Sequence, residues 1–396
     1  MTMAAAIESR TAGAPTLSSS RRIAQIEILS DLESAEAAWR RLETAEQLFT
    51  AYQRFDFLKC WQREVGLRDD AKPLIVIASD AERRPLLLLP LFVKQSHGVR
   101  VASFMGGKHA TFNMALWDRS FATAVEHADL HGLLDELRKR SAADVLALTQ
   151  QPLHWREVQN PLALLPHQSS VNDCPVLNIE PGAAPSSLIS NSFRRRLRAK
   201  ERKLSKLSGY RHHLATKDAE IDRLIEWFFR TKPLRMAQQG LPNVFAEPGV
   251  EAFIRRACLT RRVGEGRVID MHALECDEEI IALYAGVADG CRFSMMFNSY
   301  TLSDHSRYSP GLILIRDIVD HYAARGYRAL DLGVGADNYK HLFCKAAEPI
   351  FDSFIPLTSR GRFAAVGMSA LARGKHLVKH NQALLRLAQG VRKSLR

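Results

Sequence analysis

Three prolines, Pro152, Pro161 and Pro166, punctuate the chain before its midpoint, and the apolar runs follow one plan on either side of them. Proline fixes φ and removes a backbone donor, so such a stretch interrupts regular structure. At 396 residues the chain is also longer than one hydrophobic core usually serves. Together these predict two α/β domains meeting near residues 155–172. In the first half, Ile23–Ile28 reads as a strand, and Leu32–Leu48 and Phe55–Val65 read as helices. Leu74–Ser79 and Pro85–Lys94 form a hairpin across a polar turn, Val99–Met105 is a further strand, and a helix at 123–140 leads to a strand at Val145–Thr149. The second half repeats this order. A strand Pro175–Ile179 precedes a basic helix, helices follow near 218–239 and 248–262, and Arg267–Glu275, Ile280–Ala288 and Cys291–Tyr300 form a meander. A helix Pro310–Arg325, a strand Ala329–Gly333, a short helix Ala336–Phe343 and a last strand Ile350–Ile355 complete it.

Composition narrows the classes. Hydrophobic residues make up 46% and charged residues 25%, the balance of a folded globular chain. The longest apolar run, Leu86–Val93, is broken by Pro90 and falls well short of the roughly 20 residues of a membrane-spanning helix. This excludes an integral membrane protein. No cationic segment precedes a long apolar core at the N-terminus, which argues against a secretory signal, and residues 1–22 read as a mobile leader. The six cysteines include no CxxC pair, which suits a reduced, cytoplasmic protein with free thiols.

The net charge of +12 is unevenly spread. Arg194–Lys206 holds eight Lys/Arg and one acid, and Ser359–Arg396 holds nine Lys/Arg and none. The first segment has a narrow apolar stripe of Phe193, Leu197, Leu204 and Leu207, with Ser190 or Asn191 as N-cap. Its arginines, Arg194 and Arg198 among them, suit an anionic substrate or polymer, or equally a solvated helix face. In the tail, Leu377, Leu384 and Val391 lie seven apart among basic residues, as in a helix resting on anionic lipid or packing onto its own domain.

The stretch from Tyr300 to Phe343 carries the chemistry. Arg307-Tyr308-Ser309-Pro310-Gly311 follows a strand and opens an apolar helix. Proline suits the first helical turn, and a helix N-terminus with open N–H donors attracts anions. Arg307 adds a positive charge, so a pyrophosphate fits here, although neither the P-loop nor the dinucleotide fingerprint is present. An ordinary helix start explains the Pro-Gly turn as well.

Arg307-Tyr-Ser-Pro-Gly, then Asp331-Leu-Gly-Val-Gly335, then Asn338-Tyr-Lys340 resembles the GNAT-superfamily branch of CelD/BcsL-type acetyltransferases, associated with cellulose biosynthesis. The basic helix and the Trp39…Phe55…Trp61 segment extend the resemblance to about residues 28–357. It implies an α/β (α+β) protein with two GNAT-like domains, each a mostly antiparallel mixed sheet flanked by helices, at 23–165 and 171–358. A basic, amphipathic tail follows at 359–396. It also implies an acyl-CoA donor, acetyl-CoA above all, with no metal, and an acceptor hydroxyl or amine on a small molecule or glycan-linked compound of envelope metabolism. The usual GNAT pyrophosphate loop is absent, and Arg307–Gly311 occupies its place. The alternatives are a FemAB-like transferase that uses aminoacyl-tRNA, and a non-catalytic module binding an anionic partner or the inner face of the membrane.

Acyl transfer needs a held donor, a deprotonated acceptor and a stabilised leaving thiolate. Arg307, Tyr308, Ser309, Pro310 and Gly311 are expected to bind the donor. Asp331 is the candidate base or acceptor orienter, or else a carboxylate capping the neighbouring backbone; Tyr339 is the candidate acid, and Lys340, Arg194 and Arg198 are candidate substrate contacts. HExxH, Cys/His clusters and a GxSxG elbow are all absent from the sequence.

Overall fold

A computed structural model of the chain describes residues 22–381 other than 265 and 336. The leader expected at 1–22, its last residue excepted, and the tail beyond residue 381 lie outside the described residues. Two mixed sheets flanked by helices make up the fold. The first contains β1 (Gln25–Leu29), β2 (Lys72–Ser79), β3 (Pro85–Ser96), β4 (Val99–Phe104) and β5 (Val145–Pro152), in that order. The second contains β6 (Cys174–Asn178), β7 (Arg211–Leu214), β8 (Asp270–Glu275), β9 (Ile280–Ala288), β10 (Arg292–Tyr300), β11 (Ala329–Asp331) and β12 (Ala346–Glu348), ordered β7-β8-β9-β10-β11-β6-β12.

Each sheet is an antiparallel meander ending in one parallel pair, β4 with β5 and β10 with β11. A parallel pair needs a crossover, and a helix supplies it in both cases. The eight longer helices are α1 (Glu36–Leu42), α2 (Phe55–Trp61), α3 (His127–Arg140), α4 (Asn191–Leu204), α5 (Asp218–Gln238), α6 (Val250–Leu259), α7 (Pro310–Ala323) and α8 (Ser359–His380). The crossovers are α3 and α7. Both bury a regular apolar stripe, Leu130, Leu133, Leu134 and Leu137 in α3 and Ile313, Leu314, Ile318 and Val319 in α7.

The structure departs from the sequence expectation in several places. The strand β13 (Ile350–Pro356), expected to finish the second half, pairs antiparallel with β5 in the first sheet. There Ile350, Phe351 and Ile355 join the buried core on the open edge of β5. The first helix stops at Leu42, because the buried Glu43 turns to accept the Phe55 backbone N–H at 2.8 Å. The helix expected at 123–140 is two, Arg119–Ala124 and α3, parted by extended backbone at Val125 and Glu126. Among the described residues of 336–343, only the single 3-10 turn Lys340–Leu342 forms. All six cysteines are free thiols.

One apolar cluster spans both halves, and a second lies within the second half around α7. Helix α6 presses Phe253 edge-on to Phe57 of α2, ring centroids 5.4 Å apart. That contact closes one side of a cleft between the halves.

Candidate functional site

The parallel pairing of β10 with β11 covers only Arg292–Ser294 against Ala329–Asp331. Beyond it β10 runs on to Tyr300, while the chain after Asp331 turns away at Gly333. Gly333 has φ +78°, and a Cβ there would lie 3.3 Å from the Met295 carbonyl oxygen, so the turn favours glycine. The two strands therefore splay, and one edge of β10 is left facing a cavity of about 480 Å³. Met295–Asn298, Gly333, Tyr339 and Lys340 form one wall of it. Phe253 and Ile254 of α6 form a second, and Lys108, His109, Thr111 and Gln150 of the first half form a third.

Beside this cleft stands the N-terminus of α7. Ser309 caps it in the left-handed region, φ +57°, and its side chain makes no cap hydrogen bond. Pro310 has no N–H, and the Leu312 and Ile313 amides both donate to the Ser309 carbonyl, at 3.0 and 3.2 Å. Among the described residues, the Gly311 amide is thus the open donor of the first turn. No acid lies in that turn. Lys200 of α4 donates to the Ser309 hydroxyl at 2.7 Å, and the exposed Arg307 lies over the Tyr308 ring at 5.0 Å. Two cations and the positive end of a helix thus converge on one spot.

The expected contacts divide here. Arg198 is exposed on the outer face of α4. Arg194 is buried, bidentate to Asp320 of α7 at 2.6 and 2.8 Å, and also donates to the Pro185 carbonyl. It clamps α4 onto α7 and is not available to a substrate. Arg316 adds a second clamp, two bonds of 2.8 Å to Glu201. These antiparallel clamps are what bring Lys200 over Ser309.

Asp331 takes the backbone-capping part and not that of a base. It is fully buried at the base of the splay and accepts from Arg292 Nε at 2.8 Å, Ser294 Oγ at 2.5 Å and the Gly333 amide at 3.0 Å. The Arg292 guanidinium lies over the rings of Phe112 and Trp155, at 4.6 and 4.7 Å. A carboxylate held by three donors and outside the cavity wall is not placed to take an acceptor's proton. It holds the Gly333 turn. Lys340 serves the same turn, donating from Nζ to the Gly333 and Val334 carbonyls at 3.1 Å each.

Tyr339 does face the cleft. It is hydrogen-bonded with Tyr284, and burial pushes its phenol up to about 12. It keeps its proton at neutral pH. Tyr284 in turn lies under Gly311, 3.8 Å from where a Cβ would sit, so the cleft and the helix N-terminus adjoin.

The first-half wall was missed in the sequence. Trp61 Nε1 donates to His109 Nδ1 at 3.1 Å, and burial lowers the imidazole below its ordinary pKa. The neutral ring then carries its hydrogen on Nε2. Lys108 pairs with Glu247 across the cleft. Gln150 adopts φ +59°, rare for a residue with a side chain. The available signal was Gly106-Gly107, which turns the chain at the end of β4 just before these residues. No cluster of three or more metal-ligating side chains forms among the described residues.

Residues 191–341 match the family model described as an acetyltransferase (GNAT) domain. No curated protein matches the sequence. Among solved structures, FemX is similar at a TM-score of 0.53 and 9% identity, over 82% of this chain and 96% of that one. A conserved protein of unknown function from Bacteroides thetaiotaomicron is similar at 0.51 and 11%, over 84% of this chain and all of the other. The likeness to the acetyltransferase model is thus confined to residues 191–341, and the likeness to the two solved structures is one of fold and spans both halves.

Proposed function

We propose that the protein is an acyltransferase whose acyl-CoA donor lies along the open edge of β10. The observation that supports this is the splay of β10 from β11 beside an uncapped, cation-flanked helix N-terminus. Pantetheine amides need backbone partners, which an unpaired strand edge offers. Phosphates need N–H donors and positive charge, which Gly311, Lys200 and Arg307 offer. Tyr308, Ser309 and Pro310 shape that turn.

The acceptor's nitrogen or oxygen attacks the thioester carbon, the C–S bond breaks, and the proton it loses passes through solvent to the departing sulfur. Magnitudes decide Tyr339's part. A phenol near 12 does not hand its proton to a thiolate whose thiol has a pKa of about 8.5. It stabilises the thiolate by donating a hydrogen bond. His109 Nε2–H is a second neutral donor, from the opposite half, for charge developing on the thioester oxygen. Asp331, Arg292 and Lys340 keep the splay open.

An acetyl donor and a hydroxyl or amine on a small, glycan-linked acceptor are the finer reading, resting on the sequence resemblance. Division into units of 23–165 and 171–358, exchanging β13, suits it. So does a cytoplasmic site of action. Calorimetric titration with acetyl-CoA, CoA and an uncharged pantetheine fragment tests the donor. Binding of the two nucleotides but not the fragment, weakened by Arg307→Ala, is expected. If Arg307→Ala leaves CoA affinity unchanged, the phosphate site is wrong.

A second reading is an aminoacyl-tRNA-dependent transferase. The outward arginines of α4, Arg195, Arg196, Arg198 and Arg202, favour it as a phosphate-binding face. Strongly salt-dependent tRNA binding without CoA binding would select it.

A further inference from the structure

We propose that the outward face of α8 docks the protein onto an anionic lipid bilayer. The inward face is seated on the first sheet. Gly361 packs so close that a Cβ would fall 1.6 Å from the Asp144 carbonyl oxygen, and Ala365 is buried behind it. Gln168 then ties down the next turns, its Oε1 accepting from Ser369 at 2.5 Å and from Arg373 at 2.8 Å. The helix is therefore prefolded and fixed in orientation.

The opposite face is apolar and open. Phe363 is 82% exposed, Val366 67%, Leu371 61% and Leu377 62%. At 100° per residue, Phe363, Val366, Ala370 and Leu377 fall on one line, and Leu371 lies apart from it. Single exposed apolar residues need no explanation, but an aligned row along one helix does. Arg362 and Arg373 border the row on one side, and Arg360 flanks it on the other.

Charge selects the occupant. Ser359–His380 contains five Lys/Arg and no acid. A second copy would set two rows bordered only by cations against each other, and those borders repel. An anionic bilayer accepts the apolar row among its acyl chains while the arginines and lysines reach outward to the headgroups. No described helix is long and apolar enough to cross a membrane, so α8 would lie in the interface plane.

The test is co-sedimentation of the full chain with vesicles of phosphatidylcholine alone and of phosphatidylcholine mixed with phosphatidylglycerol. Binding to the mixed vesicles only is expected. The double variant Phe363→Asp with Val366→Asp should weaken it at least about tenfold, from the loss of two buried apolar side chains. Thermal melting and CoA titration show whether that variant is still folded; both positions are exposed. Arg195→Gln with Arg196→Gln on α4 is expected to bind vesicles as the wild type does. Equal binding to neutral vesicles, loss only in the α4 variant, or full binding by the double variant would each overturn the proposal. So would lipid-free self-association that the double variant abolishes while vesicles go unbound.

Discussion

Helices α3 and α7 hold the same place in their two sheets, each linking a pair of parallel strands, yet their N-termini are finished in opposite ways. At α3, Asp129 accepts the Glu126 N–H at 3.1 Å, and Glu126 itself pairs with Arg22. Carboxylates of the chain already occupy the positive end of that helix. At α7 the first turn has no acid, the cap side chain is turned elsewhere, and the nearest charges are cations. The strands differ in the same sense. β5 is covered along its far edge by β13, whereas β11 has three residues and leaves β10 bare. The first half fills the N-terminus of its crossover helix with its own carboxylates, and the second leaves its own open. A repeated architecture can thus finish the same helix start in two ways.

The largest expected effect comes from the lock under the splay of β10 and β11. Asp331→Asn leaves buried Arg292 with only the more distant Glu348 carboxylate, at 3.9 Å, and removing one partner of a buried pair costs about 3–5 kcal/mol. Chemical denaturation of the variant checks this, and a loss under about 1 kcal/mol would show that the splay is not held there.

Next, a carboxylate can be placed on α7 to imitate α3. Gly311→Asp has ordinary space around its Cβ, with Tyr300 at 3.6 Å. It should hold or slightly raise the melting temperature while weakening CoA binding about ten- to a hundredfold, the size of a lost charge-assisted bond plus repulsion. Falls in both would mean that the substitution merely damages the helix.

Lys200→Ala and Arg307→Ala should each weaken CoA binding by about three- to tenfold and leave denaturation unchanged, since both cations are largely exposed.

The smallest effect is the first half's own ion pair, Arg100 with Asp144 at 3.2 Å. Arg100 holds the Asp144 carboxyl down at about 2 against an ordinary 3.8. A depressed pKa contributes stability above the unfolded value and loses it as pH falls from about 4 through 2. Because Arg100 is half exposed, the amount is about 1 kcal/mol. Acid titration of wild type and Asp144→Asn should converge near pH 2, and parallel curves would refute the assignment.

Much of the fold was legible in the sequence. The hairpins, the apolar stripes of α3 and α7, and the Ser309-Pro310-Gly311 helix start are all local patterns. Asp331 as a base and Arg194 as a substrate contact misled for one reason. A charged residue in a promising motif has the same letter whether it faces a ligand or a buried counter-ion, and only Arg292 and Asp320 distinguish the two. The exchange of β13 was invisible because an apolar strand does not say which edge it will cover.

Local physics, acting over a few residues, was thus enough for the sequence to determine two α/β halves, an anion-ready helix start and a basic C-terminal helix. Tertiary structure decided which charges are spent internally and that the first half walls the cleft with His109 and Gln150. It also decided that Phe363 faces out while Gly361 faces in. Those outcomes depend on contacts between residues as far apart as Asp144 and Gly361, whose packing no local pattern encodes.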